Sequence, residues 1–167
     1  MDERLSDLLD QLYHDGRDHD AALVDRLARW RNLEPETAAL LAVTVLTMQP
    51  RTILELGTSN GYSTLWLADS SRDIAARFVS VELDPARSAA AGANLLRAGL
   101  AGHVELQVGD AAEVLAAGDD GYWELIFLDS ERPAYPGYWP DLLRVLAPGG
   151  LLAAKRRLYG RSRRRAA

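Results

Sequence analysis

Ile53-Leu54-Glu55-Leu56-Gly57-Thr58-Ser59-Asn60-Gly61-Tyr62-Ser63 decides the fold. A short apolar run with one acid in it stops at a glycine, turns through polar residues to a second glycine, and continues into a helical pattern. That order is strand, tight turn, helix, the first unit of a wound α/β sheet. Glycines at 57 and 61 allow a tight turn and a close backbone approach by a ligand.

Four more apolar runs follow, Phe78–Val81, Val104–Val108, Leu125–Leu128 and Leu151–Ala154. The stretches between them, Ser63–Asp69, Pro85–Ala98, Ala111–Ala117 and Tyr138–Leu146, have helical spacing. The alternation predicts a doubly wound, mostly parallel sheet with helices on both faces. Asp84-Pro85 reads as an N-cap with a first-turn proline, Gly99 as the stop of that helix, and Pro148-Gly149-Gly150 as a turn into the fifth run. Val104, Leu106 and Val108 alternate with Glu105 and Gln107, as expected of an edge strand.

Upstream, residues 1–50 read as a helical cap over the site. The apolar spacing of Leu5, Leu8, Leu9 and Leu12 predicts one helix, that of Leu23, Leu27 and Trp30 a second, and Pro35 opens a third. The 167 residues, 48% hydrophobic, suffice for one core, so residues 1–154 are expected to form a single domain, with the βα core in 51–154.

Ligands of such sheets bind beyond the carboxyl ends of the strands. Glu82, 21 residues after Gly61, ends the second run and is placed to accept both hydroxyl hydrogens of a ribose. Asp110 ends the third run, where it can bond an adenine amino group or cap the next helix, and Ala111 follows it. Asp129 ends the fourth, near the expected reaction point. A carboxylate at Glu55 would repel a pyrophosphate but suits the ammonium and sulfonium cations of S-adenosylmethionine (SAM). The dinucleotide fingerprint would also need glycine where Ser59 stands.

Taken in order, Glu55-Leu56-Gly57 through Gly61-Tyr62-Ser63, Val81-Glu82-Leu83-Asp84, Gly109-Asp110-Ala111, Phe127-Leu128-Asp129 and Leu146-Ala147-Pro148-Gly149-Gly150 resemble the class I SAM-dependent O-methyltransferases of the bacterial catechol and caffeoyl-CoA type. The resemblance covers roughly residues 35–154. It implies methyl transfer from SAM to a hydroxyl of a small-molecule acceptor, with Glu55, Gly57, Ser59, Gly61, Tyr62, Ser63, Glu82, Asp110 and Ala111 holding the cofactor and Asp129 orienting the acceptor. In that family Asp129 would be the first metal ligand.

Two departures count against a divalent metal. Arg132 stands where the family carries a lysine, and Ala153-Ala154-Lys155-Arg156 replaces an Asp-Asn pair, leaving Asp129 the only clear oxygen ligand. The family would also continue for roughly 50 residues more, including two last strands beside the fifth. Lys155 to Arg165 holds seven of the 19 basic residues, and 155–167 reads as a disordered basic tail. Without it the body carries 12 basic and 24 acidic residues, a charge of −12 that disfavours nucleic acid as partner.

No cysteine is present, and no stretch approaches the roughly 18 apolar residues of a membrane span, so a cytoplasmic protein is expected. A bare fifth strand and apolar N-terminal helices suggest a homodimer. The rival readings are a non-catalytic SAM-binding module, an NAD-linked oxidoreductase, which Glu55 and Ser59 oppose, and an RNA methyltransferase, for which only the tail is basic.

Overall fold

A computed structural model describes residues 1–155, with the side chain of Arg132 excepted. Five strands, β1 Thr52–Leu56, β2 Arg77–Glu82, β3 Glu105–Val108, β4 Trp123–Leu128 and β5 Leu146–Ala154, form one sheet in the order β3-β2-β1-β4-β5. Every pairing is parallel. The chain winds from β1 outward through β2 to β3, then returns to place β4 on the other flank of β1. The carboxyl ends of β1 and β4 are therefore the point where the winding reverses, the place where open α/β sheets bind ligands.

The helices are α1 Glu3–Ala22, α2 Pro35–Met48, α3 Tyr62–Ser71, α4 Pro85–Arg97, α5 Ala111–Ala117 and α6 Tyr135–Val145. One sheet face packs Ile53, Phe78, Leu125 and Phe127 against Leu65 and Leu67 of α3, Leu95 of α4 and the stripe Leu5, Leu8, Leu9 and Leu12 of α1. The other packs Leu54, Val79, Val81, Ile126 and Leu128 against Leu115 of α5 and Leu142 and Val145 of α6. Each fully buried leucine or isoleucine contributes roughly 1.5–3 kcal/mol relative to exposure, so both layers are needed to hold the sheet.

Local signals set the helix starts. The Asp2, Asp84 and Asp110 carboxylates accept the amides of Leu5, Ala86 and Ala112, each satisfying an N-terminal N–H that lacks a helical partner. The sequence places Pro35 and Pro85 correctly as the first residues of α2 and α4. β3 lies at a sheet edge and is its most exposed strand, as its alternation indicates. The Lys155 to Ala167 tail lies, apart from Lys155, outside the described residues.

Two local expectations are corrected. The stretch 23–34 is not a helix: it crosses the sheet end as an irregular strap, with Leu27 57% exposed. Its amides are taken by Asp20, whose two carboxylate oxygens accept Trp30 N–H at 2.8 Å and Arg31 N–H at 2.8 Å, a side-chain alternative to helical bonding. Pro148-Gly149-Gly150 is not a turn before the last strand but a bulge inside it. Leu146 already pairs with Trp123, the register slips, and regular pairing resumes at Leu151 with Leu125.

Candidate active site

Glu82 ends β2 only 9% exposed, yet its carboxylate is fixed in place. Oε2 accepts Ser59 N–H at 2.7 Å and Oε1 accepts Asp84 N–H at 3.1 Å. Each oxygen has a second lone pair for a ligand hydroxyl. Ser59 adopts φ 53°, the left-handed conformation that aims its amide at Glu82, and its hydroxyl donates to Trp30 O at 3.1 Å. In the same turn Asn60 Nδ2 is buried with no acceptor among the described residues.

The glycines are required by packing. A Cβ on Gly57, at φ +104°, would lie 2.8 Å from the Asp129 carbonyl carbon and the Ser130 nitrogen. On Gly61, at φ +85°, it would meet Ala91 Cα of α4 at 3.0 Å. Gly57 thus brings the β1 turn against the end of β4, and Asp129 N–H donates to Leu56 O at 2.9 Å across the same seam.

Glu55 is placed differently from the sequence expectation of an anionic wall. It is fully buried beneath the turn, and its oxygens accept the hydroxyls of Ser63 at 2.5 Å, Thr64 at 2.6 Å and Ser80 at 2.6 Å. Burial raises its pKa to about 7 against the pull of those three hydroxyls, and the nearby Asp129 charge adds to the rise. Glu55 is a post that locks the first turn of α3 to β1 and β2. Tyr62 and Ser63 serve the same interior: Tyr62 is 2% exposed with its ring centroid 6.1 Å from that of Tyr13, and the Ser63 hydroxyl is spent on Glu55. Asp110 uses one oxygen to cap α5 and is otherwise exposed beside Ala111, so both of its expected roles stay available.

Across the seam the groups are basic. Lys155 Nζ, after β5, lies 3.2 Å from Asp129 Oδ2 and donates to Arg31 O. Arg26 and Arg31 both pair with Glu131, and Arg87 of α4 donates to Leu27 O, so the strap 23–34 is fastened to the loop after β4 and to α4. Sequence reading missed Arg31, Glu131 and the strap. The one available signal was the density of arginines at 26, 29 and 31 beside a turn-forming Asp25. Tyr135 donates from its hydroxyl to Leu128 O and Ser130 O, both at 3.1 Å, and lines the cavity described below, whereas Trp139 is 52% exposed. Trp123 sits in the core at the far end of β4, as expected.

The donor set does not suit the divalent metal of the resembling family. Among the described residues no three His, Asp or Glu side chains come together to hold an ion, and the Lys155 ammonium already sits on Asp129.

Residues 54–154 match the family described as the methyltransferase domain. The chain belongs to that family. It is 34% identical over 126 residues to a catechol O-methyltransferase of Niastella koreensis, covering 74% of this chain and 57% of the relative. A catechol O-methyltransferase of Mycobacterium tuberculosis is 30% identical over 141 residues, covering 84% and 62%. The chain therefore spans less than two thirds of the length of these relatives. Among solved structures, the O-methyltransferase TomG of Streptomyces achromogenes in complex with SAM superposes with a TM-score of 0.73 at 28% identity, covering 92% of this chain and 65% of TomG. An O-methyltransferase of Bacillus cereus in complex with SAH gives 0.72 at 27%, covering 92% and 66%. The five-stranded wound sheet is the Rossmann-like core of this family.

Proposed function

We propose that the chain binds SAM over the carboxyl ends of β1, β2 and β3 and serves methyl transfer to a hydroxyl of a small-molecule acceptor at the end of β4. The observation that carries the reading is Glu82, a nearly buried carboxylate whose oxygens are each pinned by one backbone amide and each keep a lone pair for a ribose hydroxyl. Relatives solved with SAM and SAH support it.

SAM would supply an electrophilic methyl carbon on its sulfonium, which would pass to the acceptor oxygen while the sulfur leaves as a neutral thioether. Glu82 holds the ribose, Asp110 and Ala111 the adenine, and the Gly57–Gly61 turn with Ser59 presents backbone to the methionine part. Tyr62 and Ser63 contribute through their backbone, and Glu55 positions that turn from beneath. Asp129, at the reversal of the sheet, orients the acceptor hydroxyl. Catalysis then comes chiefly from holding donor and acceptor in line.

Calorimetric titration with SAM and with NADH tests this directly. SAM binding that disappears in Glu82→Ala is the expected result. Binding of NADH alone would instead favour an oxidoreductase.

No helix among the described residues is long and apolar enough to cross a membrane. A cytoplasmic location belongs to the same proposal, as does the absence of a nucleic-acid partner, which the acidic body supports. So does a homodimer, supported by the exposed Leu40, Val43 and Leu46 of α2; a monomeric mass in solution at micromolar concentration would overturn it.

A further inference from the structure

A cavity of about 1030 Å³ lies beside the cofactor groove rather than in it. It opens between α1, the strap 23–34, α2 and the ends of β4 and β5, and reaches Asp129 and Lys155. Leu33, Leu41, Phe127, Tyr135 and Ala153 give it apolar walls. That is room for a substituted aromatic ring, which favours apolar walls with a few placed polar groups.

The charge of its lining is opposite to that of the protein body. Arg17, Arg26, Arg29, Arg31 and Lys155 line it, against the carboxylates of Asp20, Glu34 and Asp129. Arg26 and Arg31 are paired with Glu131, and Lys155 with Asp129. Among the described residues Arg29 donates from Nε and Nη2 to Leu23 O and has no carboxylate partner, and Arg17 lies 5.9 Å from the Tyr13 ring centroid, also with no carboxylate partner. Arg31 Nε is buried without an acceptor among the described residues. A concave wall with surplus cations on an acidic molecule focuses the field for one kind of ligand, an anion.

We propose that this cavity is the acceptor site and that it selects a hydroxylated aromatic acid, with Arg17 and Arg29 taking the carboxylate and Lys155 supplying the cationic charge beside Asp129 that a divalent metal would otherwise bring. As an acceptor site it rests on the methyl-transfer reading; as an anion site it stands on the lining alone. The carboxylate is not consumed. It fixes the ring so that the hydroxyl is presented at Asp129, whose carboxylate takes its proton as the O–CH₃ bond forms and the S–CH₃ bond breaks, the sulfur leaving as a neutral thioether.

The test is calorimetric binding of protocatechuate, a catechol bearing one carboxylate, and of its methyl ester to the full chain, with and without SAH, beside a SAM titration. The acid is expected to bind at least about 10-fold more tightly than the ester. Arg17→Gln, an exposed change on α1, is expected to remove most of that preference and leave the ester unchanged. Neither Mg²⁺ nor a chelator should alter the acid's affinity, and a Mg²⁺-dependent gain would overturn the metal-free assignment. SAM binding together with equal or absent binding of acid and ester overturns the anion site while leaving the methyl-transfer reading intact. Acid preference without SAM binding does the reverse.

Discussion

The two sides of the Gly57–Asp129 seam are built by opposite means. On the β2 side, carboxylates are held by backbone: Glu82 by two amides, Asp84 and Asp110 by the first amides of the helices they cap. On the β4–β5 side, carboxylates are held by long cationic side chains, Glu131 by Arg26 and Arg31 and Asp129 by Lys155. Backbone-held groups are rigid and keep spare lone pairs for a neutral, hydroxyl-rich ligand. Groups held by flexible cations can exchange partners, so an arriving anion can compete for them. The first arrangement suits an invariant cofactor, the second a variable acceptor.

The contrast is sharpest at Glu82. If Glu82 holds the ribose as proposed, Glu82→Ala removes two charge-assisted bonds, costing about 4 kcal/mol, on the order of 1000-fold in SAM affinity, while acid binding in the neighbouring cavity stays within about 2-fold. Equal losses on both sides, measured by calorimetry, would show that the two regions are one unit. Gly57→Ala attacks the seam itself. A Cβ at φ +104° and 2.8 Å from the Asp129 backbone combines left-handed strain with overpacking, an expected loss of about 3 kcal/mol by urea unfolding.

Glu55 gives a smaller, pH-dependent effect. Its folded pKa of about 7 lies above its ordinary value of 4.5, so its contribution to stability is fully present below about pH 4.5 and lost as pH rises through 7. Between about pH 5.5 and pH 8 this amounts to roughly 2 kcal/mol of lost stability. Glu55→Gln should flatten that slope in unfolding free energies, whereas Asp129→Asn should leave most of it. The smallest effect belongs to the strap. Glu131→Gln, removing pairs that are partly exposed, should cost less than about 1 kcal/mol in a thermal melt, and 0.5 M salt should mimic about that much on the wild type.

Much of the fold was legible because its signals are local. Asp84-Pro85 and Asp110-Ala111 each state a helix start in two residues, and the apolar runs at β1, β2 and β4 are bounded by turns. Local signals also misled where a distant group decides. Leu23, Leu27 and Trp30 have helical spacing, but the Asp20 carboxylate outcompetes the helix for the Trp30 and Arg31 amides. Glu82, Asp110 and Asp129 were readable from the sequence as candidate site residues because each stands at or just past the end of a strand, which is where the structure places them. The role of Glu55 was not, since its three hydroxyl partners come from two different elements. Nor was the basic cavity, whose cations stand at 17, 26, 29, 31 and 155 and meet only in the folded chain.

The contact at Gly57 sets a fixed gauge between the two half-sites. Main chain touches main chain there, with no side chain between the cofactor turn and the strand end that carries Asp129. Substitution elsewhere can reshape the walls of either pocket but cannot lengthen or shorten that spacing. On the proposed reading, diversity of acceptor would fall to the strap and α1, so relatives acting on different molecules should vary there while the spacing between the turn and Asp129 stays the same.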